Sequence, residues 1–239
     1  MKLDAAARDL LSHVTTATIT TILLKRGLRN LWMRGPMPLS NDGGAPYAGR
    51  VVGPVFTLRF IPAREDLATP ESWSSPTSTR AAIEDMPEGA VVVADAVGVT
   101  DAGIFGDILC ARMKMRGVAG LVTDGVVRDL AGVRDSQLPV WAQGAAAPPS
   151  IAGLTFAGWQ LPIGCGGVAV FPGDICVADE DGAVIIPRAE LDHVLTHAPE
   201  QERMEGWIMD EIGRGVPLPG LYPMNDETKV RYAADKDKD

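Results

Sequence analysis

Two opposite charges, Arg128 and Asp129, stand side by side just after the turn signal Asp124-Gly125 and the apolar pair Val126-Val127. Twenty residues separate this pair from Asp107, which opens an apolar helical run directly behind Gly106. A helix that begins there leaves the N–H groups of Gly106, Asp107, Ile108 and Leu109 without intrahelical acceptors, so its first turn is an anion site. Gly106 has no Cβ and lets a ligand approach the backbone closely. If both segments reach one edge of a sheet, Arg128 and the helix start face the same carboxylate. Asp129 is then placed to hold a hard metal ion. Taken singly, each feature has a bland explanation: a capped helix start, and a solvated ion pair on a turn.

The elements that must bring these residues together are legible in the middle of the chain. Val91-Val92-Val93 begins a buried strand, residues 98–106 form a loop, 107–116 a short helix and 118–123 a second strand. Strand, crossover helix and strand make a βαβ unit with a parallel pair, which sends both loops to the same sheet edge. Arg128-Asp129 opens another short helix, and 138–141 is a further strand. Upstream, 5–28 reads as one helix with a Thr-rich centre, 29–49 as a turn-rich stretch, and 51–61 as a strand interrupted at Gly53-Pro54. Residues 62–80, rich in Pro, Ser and Thr, form a loop long enough for a lid or a subunit contact. From Gly166 the pattern is all-β: strands at 168–171, 175–178 and 183–186, joined by the turns Pro172-Gly173-Asp174 and 179–182 in the manner of hairpins. A helix follows over 188–214, broken in two at Pro199. The boundaries are one domain over 1–217 and a polar tail over 218–239, frayed from Asp235 onward.

Composition narrows the class. In 239 residues, 46% are hydrophobic but only 5% aromatic, which suits an α/β core of Val, Ile, Leu and Ala. The formal charge of −9 repels nucleic acid phosphates and acidic membranes, so neither is expected as a partner. It leaves room for an anionic small molecule in a locally cationic pocket. The start, Met1-Lys2-Leu3-Asp4, carries an early acid and no apolar run, and no stretch approaches the ~18 apolar residues of a membrane span. Cys110, Cys165 and Cys176 lack metal-type pairing and read as reduced thiols of a cytoplasmic protein.

The two blocks Gly106-Asp107-Ile108-Leu109 … Asp124-Gly125-Val126-Val127-Arg128-Asp129 and Gly166-Gly167-Val168-Ala169-Val170-Phe171-Pro172-Gly173-Asp174 … Asp181-Gly182-Ala183-Val184-Ile185-Ile186-Pro187 resemble the 4-hydroxy-4-methyl-2-oxoglutarate aldolases and the related RraA-like proteins. The resemblance spans about residues 85–190, with the N-terminal helix matching more loosely. It implies an αββα sandwich with a swivelling (phosphohistidine) domain-like β/β/α core. It also implies homotrimers, often stacked as hexamers, with active sites between subunits. By the same resemblance Gly106, Asp107, Ile108 and Leu109 contact the pyruvate part of a small 2-oxo acid, Arg128 binds substrate, and Asp129 holds Mg²⁺ or Mn²⁺. The implied activity is a metal-dependent retro-aldol cleavage, with oxaloacetate decarboxylation as a companion reaction. Arg128 would stabilise the enolate, and Asp107 would orient the proton transfer from the 4-hydroxyl. The regulator branch of the family is described as lacking the metal-holding aspartate, so Asp129 argues for the enzymatic branch. Where many relatives carry Ser-Asp this chain has Thr20-Thr21, and 28–39 and the tail also differ. Glu202 and Glu205 are candidates for the acids a neighbouring subunit contributes.

The rivals are weaker. A Schiff-base aldolase needs a desolvated lysine, whereas Lys114 lies in a charged run. His193 and His197 share a helical face without the glutamate of a zinc protease motif. Cys110 has no histidine beside it in sequence and reads as a buried small hydrophobe. A strand, not a helix, follows Gly164-Cys165-Gly166-Gly167, which excludes a dinucleotide or methyl-donor loop. The remaining alternative is a non-catalytic protein that binds and regulates a ribonuclease.

Overall fold

A computed structural model describes residues 3–39 and 49–236, and its architecture follows from where alternate strand residues point. In chain order the elements are α1 (Ala5–Ser12), α2 (Thr16–Lys25), β1 (Met37–Pro38), β2 (Val51–Pro62), α3 (Thr79–Asp85), β3 (Val91–Asp95), α4 (Asp107–Met115), β4 (Gly120–Thr123), α5 (Leu130–Asp135) and β5 (Val140–Ala142). There follow β6 (Leu154–Trp159), β7 (Ile163–Cys165), β8 (Val168–Val170), β9 (Ile175–Asp179), β10 (Gly182–Ile186), α6 (Leu191–Gly213) and α7 (Asp226–Lys236). The main sheet runs β1-β5-β4-β3-β2-β9-β10, with β6 also on β2; β7 and β8 form a separate ribbon.

Three buried clusters define four layers. Val92 and Ala94 of β3 pack with Ala82 and Ile83 of α3 and Cys110 and Met113 of α4. Their strand neighbours Val91 and Val93 point the other way, against Val168, Val170, Cys176 and Ile185. Val177, Val184 and Ile186 face outward again, onto Leu11, Ile19, Leu23 and Val194 of α1, α2 and α6. Period-2 alternation between two faces, both of them dry, therefore yields helix, sheet, sheet and helix. The expected αββα sandwich is present. Each fully buried Val, Leu or Ile here contributes about 1.5–3 kcal/mol.

β2 joins the two sheet layers, and here the sequence-based expectation is corrected. Gly53-Pro54 does not interrupt the strand, which is continuous over 12 residues. Instead it changes partner there: Val51 to Pro54 pair with β9, and Val55 to Arg59 pair with β3. Gly53 is required at the crossing, because a Cβ would lie 2.4 Å from the carbonyl oxygen of Gly89.

Other expectations are revised in the same way. The single helix over 5–28 is two helices, because Thr15 adopts an extended conformation and its hydroxyl caps α2 by accepting from the Thr18 N–H. The helix over 188–214 is not broken at Pro199; α6 runs through it. The cost of a missing N–H, about 3 kcal/mol, is offset by the buried face of Leu191, Val194, Ala198 and Ile208. Pro172-Gly173-Asp174 is a tight turn but not a hairpin, since β8 pairs with β7 and β9 pairs with β2 and β10. β9 and β10 do form the expected hairpin, with Asp179 opposite Gly182. The 62–80 loop contains a short 3-10 turn, Pro70–Ser74, and ends at α3, which Ser78 caps. The tail past 217 contains α7, bound to α6 through the Trp207–Tyr232 ring contact and the Arg231–Glu211 ion pair. Asp235 and Lys236 belong to that helix; residues 237–239, and 40–48 of the turn-rich stretch, lie outside the described residues.

Among the described residues, no helix is long and apolar enough to cross a membrane.

Candidate functional site

The βαβ unit places the two loops as expected. β3 and β4 are parallel, with Val91 opposite Gly120 and Ala94 opposite Thr123, so the segments leaving both strands reach the same edge. Beyond the strands the loops stay tied. Gly103 bridges in parallel to Val126, the Ile104 N–H donates to the Val126 carbonyl at 2.9 Å, and the Arg128 N–H donates to the Phe105 carbonyl at 2.9 Å. Arg128 is thereby fixed at the backbone level beside the start of α4.

Glycines make this approach possible. A Cβ on Gly103 would lie 2.8 Å from the Arg128 backbone nitrogen, one on Gly106 2.7 Å from Asp129 Oδ2, and one on Gly132 2.6 Å from Asp107 Cβ. The two helix starts therefore exchange places for their acids. The carboxylate of Asp129, ahead of α5, sits over Gly106 of α4; that of Asp107, in α4, sits over Gly132 of α5. Asp129 has φ +51°, a left-handed conformation that aspartate tolerates better than most residues.

Gly106, Asp107, Ile108, Leu109, Arg128 and Asp129 all line one cleft of about 390 Å³. Arg128 Nε donates to Asp129 Oδ2 at 3.0 Å, with the two side chains 35% and 48% exposed, so the pair is within reach of a ligand. One expectation is corrected here: the Ile108 N–H is not free, because Asp107 Oδ1 accepts from it at 2.7 Å. Oδ2 of Asp107 and Oδ1 of Asp129 accept no hydrogen bond among the described residues. The Ile108 side chain is 77% exposed at the cleft.

The cleft also contains Trp73, Thr79, Arg80, Pro149 and Ser150, which the residue patterns did not single out as site residues. The length and composition of 62–80 were the only signal, and they pointed to a lid or contact rather than to particular side chains. Glu202 and Glu205 do not line this cleft. Glu202 accepts from the N–H and hydroxyl of Thr15, and Glu205 from Gln201 and Thr18. Thr20 and Thr21 donate to the Ala17 carbonyl within their own helix.

The competing chemistries find no seat. Cys110 is buried, and burial pushes its thiol up to about 12, with Asp107 adding to the shift. Lys114 is exposed on the outer face of α4. The rings of His193 and His197 lie tilted to one another with centres 4.1 Å apart on α6, His193 half-buried and His197 exposed. No group of three or more His, Cys, Asp or Glu side chains among the described residues is arranged to enclose a metal by itself. The cleft is instead an open arrangement of one or two carboxylates beside a cation.

Comparison with known proteins gives the family and the fold. The pattern of the RraA-like family, described as Aldolase/RraA, matches residues 16–185. A Halalkalibacterium halodurans protein, provisionally named a 4-hydroxy-4-methyl-2-oxoglutarate aldolase, is 32% identical over 153 residues, or 64% of this chain and 67% of that protein. Protein DlpA of Legionella pneumophila is 30% identical over 71% of this chain, which matches only 26% of that protein's length. The crystal structure of Streptomyces coelicolor RraAS2, described as an unusual member of the RNase ES inhibitor RraA protein family, is similar with a TM-score of 0.76. It is 33% identical, covering 87% of this chain and 97% of that one.

Proposed function

Because this chain belongs to the RraA-like family, we propose that it is a divalent-metal-dependent carbon–carbon lyase acting on small 2-oxo acids, with the cleft at the start of α4 and Arg128-Asp129 as its active site. The observation that carries this is the gathering of Arg128, Asp129 and the first turn of α4 around one cavity.

The residues fit Mg²⁺ or Mn²⁺. Asp129 and Asp107 each keep a carboxylate oxygen unused among the described residues, and Gly106 and Gly132 leave the space in which these groups sit. Such ions take one or two carboxylates and complete their shell with water and substrate oxygens. When bound, the ion supplies Lewis-acid polarisation of the 2-oxo group.

The chain's own groups do the rest. The remaining first-turn N–H groups of α4 bind the substrate carboxylate. As the C3–C4 bond of a 4-hydroxy-2-oxo acid breaks, its electron pair moves into the C2–C3 bond and charge collects on the C2 oxygen. The Arg128 guanidinium lies beside that oxygen and stabilises the pyruvate enolate. The 4-hydroxyl gives up its proton to a water in the cleft, C4 leaves as a carbonyl, and the enolate takes a proton from water at C3. Asp107 orients the proton transfer. Loss of carbon dioxide from oxaloacetate yields the same enolate, so one site serves both reactions. A second copy covering Ile108, in a homotrimer or hexamer, would complete the site.

The test is pyruvate release, coupled to lactate dehydrogenase, from oxaloacetate and a panel of 4-hydroxy-2-oxo acids with Mg²⁺ or Mn²⁺. Turnover that a chelator abolishes and added metal restores is expected. Inactivity on the whole panel with metal present would sink the proposal. The description of the Streptomyces relative favours a second reading, a protein-binding regulator of a ribonuclease. Inhibition of a ribonuclease together with that inactivity would establish it.

A further inference from the structure

Arg80 is a cation in this cleft that the chemistry above leaves unused. It is the second residue of α3, and its guanidinium carbon lies 4.9 Å from the centre of the Trp73 ring, a cation–π seat. Its nearest polar contact is the Thr79 hydroxyl, at 3.4 Å. Neighbouring arginines have carboxylates: Arg112 and Arg116 share Glu84, Arg64 holds Asp66, and Arg128 holds Asp129. Arg80 forms no ion pair with any described residue. Burial lowers its pKa from the usual guanidinium value, and no carboxylate among the described residues offsets that effect. In a chain of formal charge −9, an arginine propped on an indole with no ion pair among the described residues is suited to bind a ligand's negative charge.

The space beside it suits the far half of a substrate. A second cavity of about 350 Å³ adjoins the cleft and shares Trp73, Thr79 and Ser150 with it. The 2-oxo acid end is accounted for by Arg128 and the α4 start. The aldehyde half has no other charged partner among the described side chains lining the two cavities.

We propose that Arg80, held on Trp73, is a specificity-determining residue that binds an anionic group on the aldehyde half of the substrate. This rests on the lyase reading. The charge of that distal group does not change as the C3–C4 bond breaks, so Arg80 binds ground state and transition state alike. Its loss therefore raises KM rather than lowering kcat.

A matched pair of substrates tests this on the full-length protein with Mg²⁺: 4-hydroxy-2-oxoglutarate, with a distal carboxylate, and 4-hydroxy-2-oxopentanoate, with a methyl group in its place. The wild type is expected to favour the former. In Arg80→Gln the ratio of kcat/KM values is expected to fall about ten- to a hundredfold, the worth of one charge-assisted contact, through KM for the dicarboxylate. Arg80→Lys should restore part of the ratio. A merely structural role would depress both substrates in parallel and leave the ratio unmoved, which would overturn the proposal while the lyase reading stands. Equal wild-type kcat/KM for the two substrates would do the same. Pyruvate release from neither substrate, nor from oxaloacetate, would overturn both.

Discussion

The acids of the cleft and the acids of the β-rich half are the same residue type put to opposite uses. Asp179 is buried and fully engaged: it accepts from the Thr16 N–H and hydroxyl and from the Asp181 N–H, and lies 3.7 Å from Arg50 Nε. Asp174 accepts from the Phe171 and Arg188 N–H groups, and Asp124 from those of Ala96 and Gly166. These carboxylates replace backbone partners where strands end, and they have little left to offer a ligand. Asp107 and Asp129 are half-exposed or exposed, each spends one oxygen, and each sits over a glycine of the other's helix start. The difference teaches that an acid is marked for chemistry by the oxygen it withholds from its own fold, since buried polar groups are otherwise satisfied.

The largest effect that would sharpen this contrast is at the cleft. Arg128→Ala is expected to lower kcat/KM for pyruvate release by about 10²- to 10³-fold, as loss of an oxyanion partner does elsewhere, with the melting temperature nearly unchanged. Asp129→Asn should weaken metal activation in the same assay, read as a higher metal concentration for half-maximal rate. Near-wild-type activity in either variant would remove the cleft from consideration. Asp179→Ala should do the reverse. It leaves Thr16 and Arg50 without their partner, at a cost of about 3 kcal/mol. The melting temperature should fall by roughly 6–12 °C, while activity per folded molecule persists. A smaller effect is expected from Gly106→Ala, whose Cβ must displace the Asp129 carboxylate. A rise in the metal requirement of about tenfold, with folding intact by circular dichroism, would confirm that the glycine serves the acid rather than the helix. The smallest concerns Cys110. With its thiol raised to about 12 and fully enclosed, iodoacetamide at pH 8 should leave it unmodified by mass spectrometry in the native protein. Rapid alkylation with loss of activity would reopen the nucleophile reading.

Residue spacing exposed much of this in advance, and unevenly. The parallel pair β3–β4, the start of α4 at Asp107 and the β9–β10 hairpin follow from short-range signals: apolar runs, a glycine ahead of a helix, an acid-rich turn. β6 is not legible because Leu154–Trp159 carries no clean alternation and its partner, β2, lies far away in the chain; β7 is not legible because Ile163–Cys165 is only three residues long, although it pairs with the neighbouring β8. Pro199 misled for a related reason: a local rule against proline in a helix was overridden by packing along the whole length of α6. Of the cleft, Gly106 to Leu109 and Arg128-Asp129 were legible. Trp73 and Arg80 were not, since nothing near them in sequence distinguishes a seated arginine from a solvated one.

The sequence by itself therefore determined which residues could bind an anion and a hard metal ion, because capping, charge and turn chemistry act between neighbours. Tertiary structure alone decided that they meet. Three glycines let two helix starts approach within van der Waals contact, and parallel register carried their loops to one edge. The segment 62–80 then came round to add Arg80, an encounter set by long-range packing rather than by any local pattern.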